Sequence, residues 1–576
     1  MQRLLSLFLL IICTTLVNAQ KPTEPFSCYS TKSHFHKNAA AANEDLRSDT
    51  IDIKHTVVHL DMTNWSGRTF TAQADVTYEV LAAFSNEIKL DLLGLTVDSV
   101  KMNGNQLTYS HNDTLIDITT PSLVAGDEAT VEVYYHGQPV QNGGDWGGFY
   151  WNSTYAYNVG VSFLEDPHNY GRVWFPCFDN FVERNTFEYF ITTDDTRKAF
   201  CNGLLQNETD NGDGTTTWHW AIAQNIPSYL ASVAVADYET IEMDYNGIPI
   251  QLAVRAADST NLKNSFVHLP DAMQAFEEGY GDYVFDRVGY CVTNFGSGAM
   301  EHATNITYMR AAVNGNTQWE TLMAHELAHH WWGDNITCRT DDDMWINEGW
   351  ATYSEALFTE AVYGTDAYKD YIRENHESVL RTLHINDDGY HPVAGVTHDL
   401  VYSSTVYDKG GDMAHTLRGV IGDYLFFSCI DGFMTAYKFE DVSTDDMMNY
   451  FSDCSGMDLS SFFDTWIKEA GFHHYSISTL ETIDNGNGTY SVEGTIKQKL
   501  RENNSYTTFM PIEITYMSAD FEVENHTAFI YGECSSFSIE LPFEPVFVAV
   551  DLDEKISDAT VDNYQTINTI GTYDFD

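Results

Sequence analysis

Apolar and polar residues alternate along the first part of the chain, which is the pattern of β-strands with one buried face. The alternation begins at Ile51-Asp52-Ile53 and recurs in short runs to about residue 240. Asn-Gly pairs at 103–104 and 202–203 separate these runs, and such pairs are typical of tight hairpin turns. We therefore predict an N-terminal β domain over residues 49–240.

The spacing of apolar residues changes between residues 241 and 474. Trp319–Trp332, Trp345–Tyr363 and Lys409–Ile421 repeat apolar residues three and four positions apart and contain few β-branched runs. That period indicates helices. We predict a mainly helical second domain here.

Alternation returns after His474. The run Tyr475, Ile477 is followed by a turn at 484–488 and by further alternating runs to about residue 550. Residues 475–576 are thus expected to form a small C-terminal β-sandwich with a tail. The three regions together predict a multidomain α+β protein.

The start of the chain has the features of a signal peptide. A single Arg precedes an apolar run from Leu4 to about Val17, and Val17-Asn18-Ala19 follows with small residues. The run is too short to span a bilayer. We predict a signal peptide over residues 1–19, a lead-in over 20–48 and export to the periplasm or the extracellular space. A lipoprotein anchor at Cys13 is the alternative.

The charge balance excludes two classes of partner. The chain has 84 acidic and 29 basic residues, a formal net charge of −55. Such a surface repels nucleic acid and anionic lipid, and no later stretch is long and apolar enough to cross a membrane. Adaptation to salt and simple solubility both explain the charge.

Beyond Cys13, eight cysteines are dispersed along the chain without a CxxC pair. This spacing is unlike a zinc ribbon or a dense disulfide framework. Export permits a bridge between Cys429 and Cys454. Free buried thiols are the alternative.

The helical region contains a candidate metal-binding motif, His325-Glu326-Leu327-Ala328-His329. Two histidines four residues apart project from one helix face, where they can share a metal ion. Neutral imidazole is a preferred zinc ligand. Glu326 is placed to take a proton from a metal-activated water.

A third candidate ligand, Glu348 in Trp345-Ile346-Asn347-Glu348, follows the second histidine after 18 intervening residues. If the two helices pack antiparallel, the Glu348 carboxylate returns to the histidine pair. Glu355 lies on the same helix face and is a candidate to orient a ligand. A solvated surface carboxylate is the alternative for Glu355.

Together, HELAHH and the later NEGWA resemble the aminopeptidase N and leukotriene-hydrolase family of gluzincin metallopeptidases. Further elements match in order. Residues 298–302 (GAMEH) resemble the family's GxMEN motif, residues 402–410 contain its YxKG element, and residues 172–179 (RVWFPCFD) resemble its RxxFPCxD segment. The resemblance covers roughly residues 50–475.

This resemblance implies a saddle-like N-terminal β domain followed by a thermolysin-like, mainly helical catalytic domain. Many members carry a long C-terminal helical domain that roofs the active site. This sequence ends soon after the sandwich, so we expect no such domain and an open cleft.

The resemblance also implies one zinc ion per chain, held by His325, His329 and Glu348. Glu326 would be the general base. Tyr407 would donate its hydroxyl to the developing oxyanion, assisted by Tyr402.

Substrate-binding residues are implied as well. Glu301 would bind the free α-ammonium of a peptide, and the backbone of Gly298-Ala299 would pair with the substrate as an added strand. Glu165 is a candidate second group for the ammonium. The sequence departs from the motif at His302, where the family has Asn.

These assignments predict an exported zinc aminopeptidase acting on peptides with a free N-terminus. A zinc endopeptidase on the same fold is the first alternative, favoured by the expected open cleft and by His302. An inactive peptide-binding homologue is the second, although such a protein would be expected to lose Glu326 or Tyr407.

Overall fold

The computed structural model describes residues 46–142, 146–559 and 564–565. The predicted signal peptide and nearly all of the lead-in fall outside these residues. The first described element is a turn of 3-10 helix at Leu46–Asp49.

The N-terminal region is all β, in agreement with its alternating pattern. Its eight-stranded sheet has the order β13-β14-β11-β1-β2-β8-β4-β5, and two smaller sheets have the orders β3-β7-β6 and β12-β15-β10-β9. Strand β1 pairs parallel with β11 and antiparallel with β2. The strands are β1 (Ile51–Asp61), β2 (Phe70–Val80), β3 (Ser85–Asp91), β4 (Thr96–Met102), β5 (Asn105–Gln106), β6 (Thr108–His111), β7 (Leu115–Leu123), β8 (Glu128–Gly137), β9 (Gly148–Trp151), β10 (Ala156–Val159), β11 (Arg184–Asp194), β12 (Lys198–Cys201), β13 (Leu204–Asp210), β14 (Thr215–Pro227) and β15 (Val233–Ala236).

Strand β1 shows a feature that simple alternation misses. Its buried positions begin with Ile51 and Ile53 but continue with Thr56, Val58 and Leu60. The register with β2 shifts between Ile53 and His55, which marks a β-bulge. An extra residue at a bulge moves the following side chains to the opposite face.

The central region carries nine α-helices among its described residues, around a five-stranded sheet of order β16-β17-β18-β20-β19. Its elements are β16 (Tyr238–Tyr245), β17 (Ile248–Arg255), α1 (Ser259–Ser265), α2 (Leu269–Tyr280), β18 (Val288–Thr293), β19 (Ala299–Met300), β20 (Ile306–Met309), α3 (Glu320–Ala328), β21 (Thr337–Cys338), α4 (Trp345–Tyr363), α5 (Thr365–Asn386), α6 (Asp408–Ile421), α7 (Asp423–Ala436), β22 (Asp441–Val442), α8 (Thr444–Ser455) and α9 (Ser460–Phe462). The predicted boundary at 240/241 falls inside β16, which belongs to this sheet.

Buried hydrogen bonds connect the N-terminal region to the central region. The buried guanidinium of Arg287 donates 2.7 Å hydrogen bonds to the carbonyls of Cys201 and Thr304. Asn202 donates to the carbonyl of Ala303 at 2.6 Å. Hydrogen bonds to a buried charged group are strong, so the segment just after Glu301 is held by both regions.

The C-terminal region is a pair of sheets with the orders β23-β24-β27 and β26-β25-β28-β29. Their strands are β23 (Phe472–Asp484), β24 (Tyr490–Arg501), β25 (Met510–Ser518), β26 (Val523–Ile530), β27 (Cys534–Leu541), β28 (Pro545–Val550) and β29 (Tyr564–Gln565). The expected α+β architecture, with β-rich ends and a helical centre, is confirmed.

A disulfide joins Cys429 in α7 to Cys454 in α8, which confirms the predicted pair. Cys177, Cys201, Cys291 and Cys338 are free and buried, whereas Cys534 is free and exposed. Among the described residues, no helix combines the length and the apolar character needed to cross a membrane.

Candidate active site

Helix α3 brings the two histidines of the HExxH segment together. The helix ends at Ala328, earlier than the predicted Trp332, but His329 keeps helical backbone angles and its N–H still bonds to the His325 carbonyl. The imidazole centroids are 4.9 Å apart. The i, i+4 relation therefore survives at the helix end, and both rings face the same side.

Glu348 reaches this pair from the first turn of α4. Its Oε2 lies 3.5 Å from His325 Nε2 and 3.3 Å from His329 Nε2. All three side chains are buried. A tetrahedral ion with bonds of about 2.0–2.1 Å has ligand atoms about 3.3 Å apart, so these three atoms fit one zinc ion.

Hydrogen-bond partners of the two histidines determine which of their nitrogens face Glu348. His329 Nδ1 lies 2.8 Å from the Trp332 carbonyl, which only accepts, so Nδ1 carries the proton and Nε2 offers its lone pair. His325 Nδ1 lies 3.0 Å from Glu355 Oε1. Glu355 is buried rather than solvated. Such partners orient metal-binding histidines and raise their basicity.

The electrostatics of the three groups are strongly coupled. Burial by itself would raise the pKa of Glu348, but the neighbouring His329 and His325 outweigh it and lower the pKa to about 2. Burial opposes protonation of His329, yet Glu348 and Glu301 raise its pKa overall. The site thus concentrates negative charge where a cation would be bound.

A cavity opens onto this cluster. Its wall combines residues of the N-terminal and central regions, namely Trp146, Val161, Phe163, Ala299, Glu301, His325, Glu326, His329, Glu348, Tyr402 and Tyr407. The structure therefore places nine of the sequence-selected residues in or beside one cavity, including Glu355 behind His325.

Tyr407 and Glu348 are positioned by a close helix crossing. Tyr407 immediately precedes α6, and its ring lies parallel to that of His325 at 6.1 Å between centroids. Where α4 meets α6, a Cβ on Gly349 would lie 2.8 Å from the Cα of Gly410. Only glycine permits this approach. The glycines that follow Glu348 and Lys409 thus bring both helices to the cavity.

Glu301 lies on the cavity wall next to the edge strand β19. Burial raises its pKa to about 7, with Glu348 and Glu326 adding to the effect and His329 opposing it. A buried carboxylate with two acidic neighbours favours a positively charged partner. Ala299 lines the cavity, while Gly298 precedes it with φ +87°, a conformation suited to glycine.

Glu165 lies elsewhere. Its carboxylate is 3.5 Å from Arg172 Nη2, and Arg172 is held in turn by Asp179 at 3.1 Å. Glu165 is not among the described residues that line the cavity. This placement gives no support to its expected role in binding the substrate ammonium.

His302, at which the sequence departs from the family motif, is not among the described residues that line the cavity. Its ring is fully buried and turned toward the N-terminal region, with Nε2 3.2 Å from Asn158 Nδ2 and Nδ1 3.2 Å from Thr307 Oγ1. Burial lowers its pKa to about 3. A protonated His302 near Glu301 would compete with the substrate ammonium for that carboxylate. The ring is instead neutral and faces away from the cavity, which removes one reason for the endopeptidase alternative.

One side of the cavity is an aromatic wall formed by Trp146, Phe163 and Tyr402. The sequence analysis did not predict this wall. Trp146 and Phe163 stack at 4.8 Å, and Phe163 stacks on Tyr402 at 4.6 Å. Trp146 also donates its indole N–H to the Ser297 carbonyl at 2.8 Å. These residues come from loops far apart in sequence, and no spacing rule connects them.

Comparison with known proteins agrees with this geometry. The family profile described as "Peptidase M1 N-terminal domain" matches residues 52–230, and the one described as "Peptidase family M1 domain" matches residues 267–466. The sequence is 26% identical over 453 residues to an aminopeptidase N of Lactococcus lactis subsp. lactis, covering 73% of this chain and 51% of that protein. It is 25% identical over 332 residues to glutamyl aminopeptidase of Bos taurus, covering 54% and 34%.

Solved structures share the fold. An M1 zinc metallopeptidase from Deinococcus radiodurans, a variant bound to a Tyr-Ser-Ala substrate, superposes with a TM-score of 0.66 at 20% identity and covers 73% of this chain and 94% of its own. Legionella pneumophila aminopeptidase A gives a TM-score of 0.71 at 18% identity, covering 88% and 59%. The chain spans about half the length of the curated relatives that it matches.

Proposed function

The chain belongs to peptidase family M1, and from that premise we propose that it is a zinc aminopeptidase, which hydrolyses the first residue from peptides with a free N-terminus. One observation carries the proposal. A three-residue metal cluster, a glutamate beside it and a buried carboxylate at an edge strand all meet in one cavity.

The donor set suits zinc. Two imidazoles and one carboxylate, with one coordination position left for water or substrate, are typical of catalytic zinc sites. His325, His329 and Glu348 would hold the ion. When bound, zinc polarises the scissile carbonyl and lowers the pKa of water at the site.

Glu326 and Tyr407 would act on the reacting atoms. Glu326 follows the first histidine directly and lines the cavity, so it is placed to accept the proton of the attacking water and to pass it to the leaving amine. The Tyr407 hydroxyl would donate to the oxygen that becomes negatively charged, a type of contact worth about 3–4 kcal/mol at other oxyanion sites. Tyr402 lies on the same wall and would assist.

Glu301 would define the reaction as exopeptidase chemistry. A substrate ammonium brought to this carboxylate gains a charge-assisted hydrogen bond and restores the ionised form that burial disfavours. The edge strand at Ala299 would pair with the extended substrate backbone. Together these contacts set the scissile bond one residue from the N-terminus.

A substrate panel tests the proposal. Purified protein is assayed on aminoacyl chromogenic substrates and on matched N-acetylated peptides, before and after chelation and after zinc is restored. We expect cleavage of free-amine substrates, loss with chelator and recovery with zinc. Equal cleavage of acetylated peptides at internal bonds would instead identify an endopeptidase. Export of the protein remains a prediction, because it depends on residues outside the described part of the chain.

A further inference from the structure

A second group of metal-ligating side chains lies outside the catalytic cavity. We call His168, Asp341 and His398 the interdomain cluster. Their ligand atoms all lie within 4.8 Å of one another. None of the three lines the cavity described above.

The three residues come from three separate segments. His168 lies in the N-terminal region, between β10 and β11. Asp341 begins the 3-10 turn Asp341–Asp343, just before α4, and His398 begins the 3-10 turn His398–Leu400, just before Tyr402. The cluster therefore joins the N-terminal region to the two segments that lead to Glu348 and Tyr407.

The tautomer of His168 follows from its surroundings. Its Nδ1 is 2.8 Å from the carbonyl of Ser162, which only accepts, so Nδ1 carries the proton. Nε2 then presents a lone pair, and it has no hydrogen-bond partner among the described residues although the side chain is 99% buried. Burial and the nearby His398 lower the pKa of His168 to about 4, which keeps the ring neutral near pH 7.

His398 presents a second such nitrogen. Its Nδ1 has no hydrogen-bond partner within the described chain, and the Asp341 carboxylate lies 3.9 Å away, an ion-pair distance longer than a hydrogen bond. This carboxylate raises the pKa of His398. The two imidazoles stack nearly parallel with centroids 4.0 Å apart. A buried nitrogen without a partner costs free energy. His168 Nε2 is such a nitrogen, and its position beside a second imidazole and a carboxylate indicates a missing ligand.

We propose that His168, Asp341 and His398 form a second metal site, selective for zinc-class transition ions. Imidazole nitrogens suit Zn²⁺, Co²⁺, Ni²⁺ and Cu²⁺, whereas Ca²⁺ and Mg²⁺ require mainly oxygen ligands. Three protein ligands leave one position for water. We call His325, His329 and Glu348 the catalytic cluster. The second site is independent of the proposed peptidase activity, since it shares no ligand with the catalytic cluster.

Binding requires a small rearrangement. Ligand atoms on a tetrahedral ion are about 3.3 Å apart, closer than the 4.8 Å limit seen here. His398 and Asp341 are both partly exposed and lie at the starts of short turns, so these two side chains would close toward the buried His168. Closing also tilts the His398 ring out of its parallel stack, so that its lone pair points at the ion.

The bound ion would act as a tether rather than as a second catalyst. The His168 ring packs edge-on against Tyr402, with centroids 5.1 Å apart. Tyr402 lines the catalytic cavity. An ion that fixes His168 and His398 would therefore hold this tyrosine wall against the N-terminal region.

Counting bound metal tests the site. Metal-free protein is titrated with Co²⁺ in excess Mg²⁺, which occupies nonspecific acidic sites, and binding is followed by calorimetry and by the visible absorption of Co²⁺. We expect two equivalents for wild type. Asp341→Asn and His398→Gln should each weaken one equivalent at least about 10-fold and leave the other unchanged.

Two controls separate this proposal from the proposed function. His526→Gln changes a partly exposed histidine in β26 and should keep both equivalents. His329→Ala should lose the catalytic equivalent and keep that of the interdomain cluster. Melting curves of the metal-free variants verify folding. One equivalent in wild type that His329→Ala abolishes, or unchanged binding in both Asp341→Asn and His398→Gln, overturns the second site.

Discussion

The catalytic cluster and the interdomain cluster each combine two histidines with one carboxylate but are assembled differently. The first draws two histidines from five consecutive residues and its glutamate from the next helix along the chain. The second draws one residue from each of three remote segments. Helix geometry makes the first visible in the sequence, whereas the second exists only because loops of two regions meet.

The two clusters also differ in how their surroundings support them. In the catalytic cluster both Nδ1 atoms have partners, Glu355 and the Trp332 carbonyl, and both Nε2 atoms face Glu348 within 3.5 Å. In the interdomain cluster only His168 is fixed in this way. Preorganised ligands bind metal more tightly, so the catalytic site should be the stronger of the two.

The largest expected effect separates metal binding from chemistry at the catalytic cluster. Glu326→Gln removes the proposed base and leaves the three ligands, so kcat should fall about a thousandfold or more. Zinc content, measured by elemental analysis, should stay at the wild-type value. Wild-type turnover in this variant would show that Glu326 is not the base.

Removing the ammonium contact should have the next largest effect. Glu301→Ala should lower kcat/KM for free-amine substrates by roughly 10- to 150-fold, the equivalent of about 1.5–3 kcal/mol. N-acetylated substrates never use the contact, so their rates provide the control. Equal losses on both substrate classes would assign Glu301 a structural role instead.

The support around the catalytic ligands can be tested directly. Glu355→Gln should weaken zinc binding by about 10- to 100-fold, because His325 loses the carboxylate that orients it. Competition with a chelator measures the affinity. Glu360→Gln, on the same helix but paired with Arg418, is the matched control and should bind zinc as wild type does. Identical affinities for the two variants would contradict the proposed role of Glu355.

Acid stability tests the buried histidine at the boundary between the regions. The pKa of His302 is lowered to about 3, so below pH 6.5 the unfolded chain binds a proton that the folded chain does not. Folded stability from this residue is therefore lost as pH falls from 6.5 toward 3, by about 1.4 kcal/mol per pH unit.

His302→Asn removes this pH-dependent contribution to the stability of the folded protein. Relative to wild type, the variant should gain melting temperature progressively between pH 6.5 and pH 4, whatever its offset at pH 7. His526→Asn, at a partly exposed position, is the control and should give a constant difference. A constant difference for His302→Asn as well would show that His302 is accessible to protons in the folded state.

The smallest effect concerns the whole surface. With a net charge of −55, screening by salt should relieve self-repulsion. The melting temperature should therefore rise by a few degrees between dilute buffer and about 0.5 M NaCl. A flat or falling curve leaves solubility as the explanation of the charge.

The sequence predicted the architecture, and the three residues that it proposed as metal ligands converge in the structure. Periodicity located the β-rich ends and the helical centre, and the spacing of His325, His329 and Glu348 anticipated their convergence. It failed at the β1 bulge and at the end of α3, since both depend on local hydrogen bonding rather than on period. It did not show where the Glu165 and His302 side chains lie, because a residue's neighbours in sequence do not show which way its side chain turns.

The sequence by itself determined which helix face carries the metal ligands, since the 3.6-residue period fixes that relation before any tertiary contact forms. Only the tertiary structure decided the aromatic wall, the burial of His302 and the interdomain cluster. Each of these depends on loops from distant parts of the chain. Their meeting is set by packing of whole regions, such as the Gly349–Gly410 crossing and the Arg287 contacts, which no local pattern encodes.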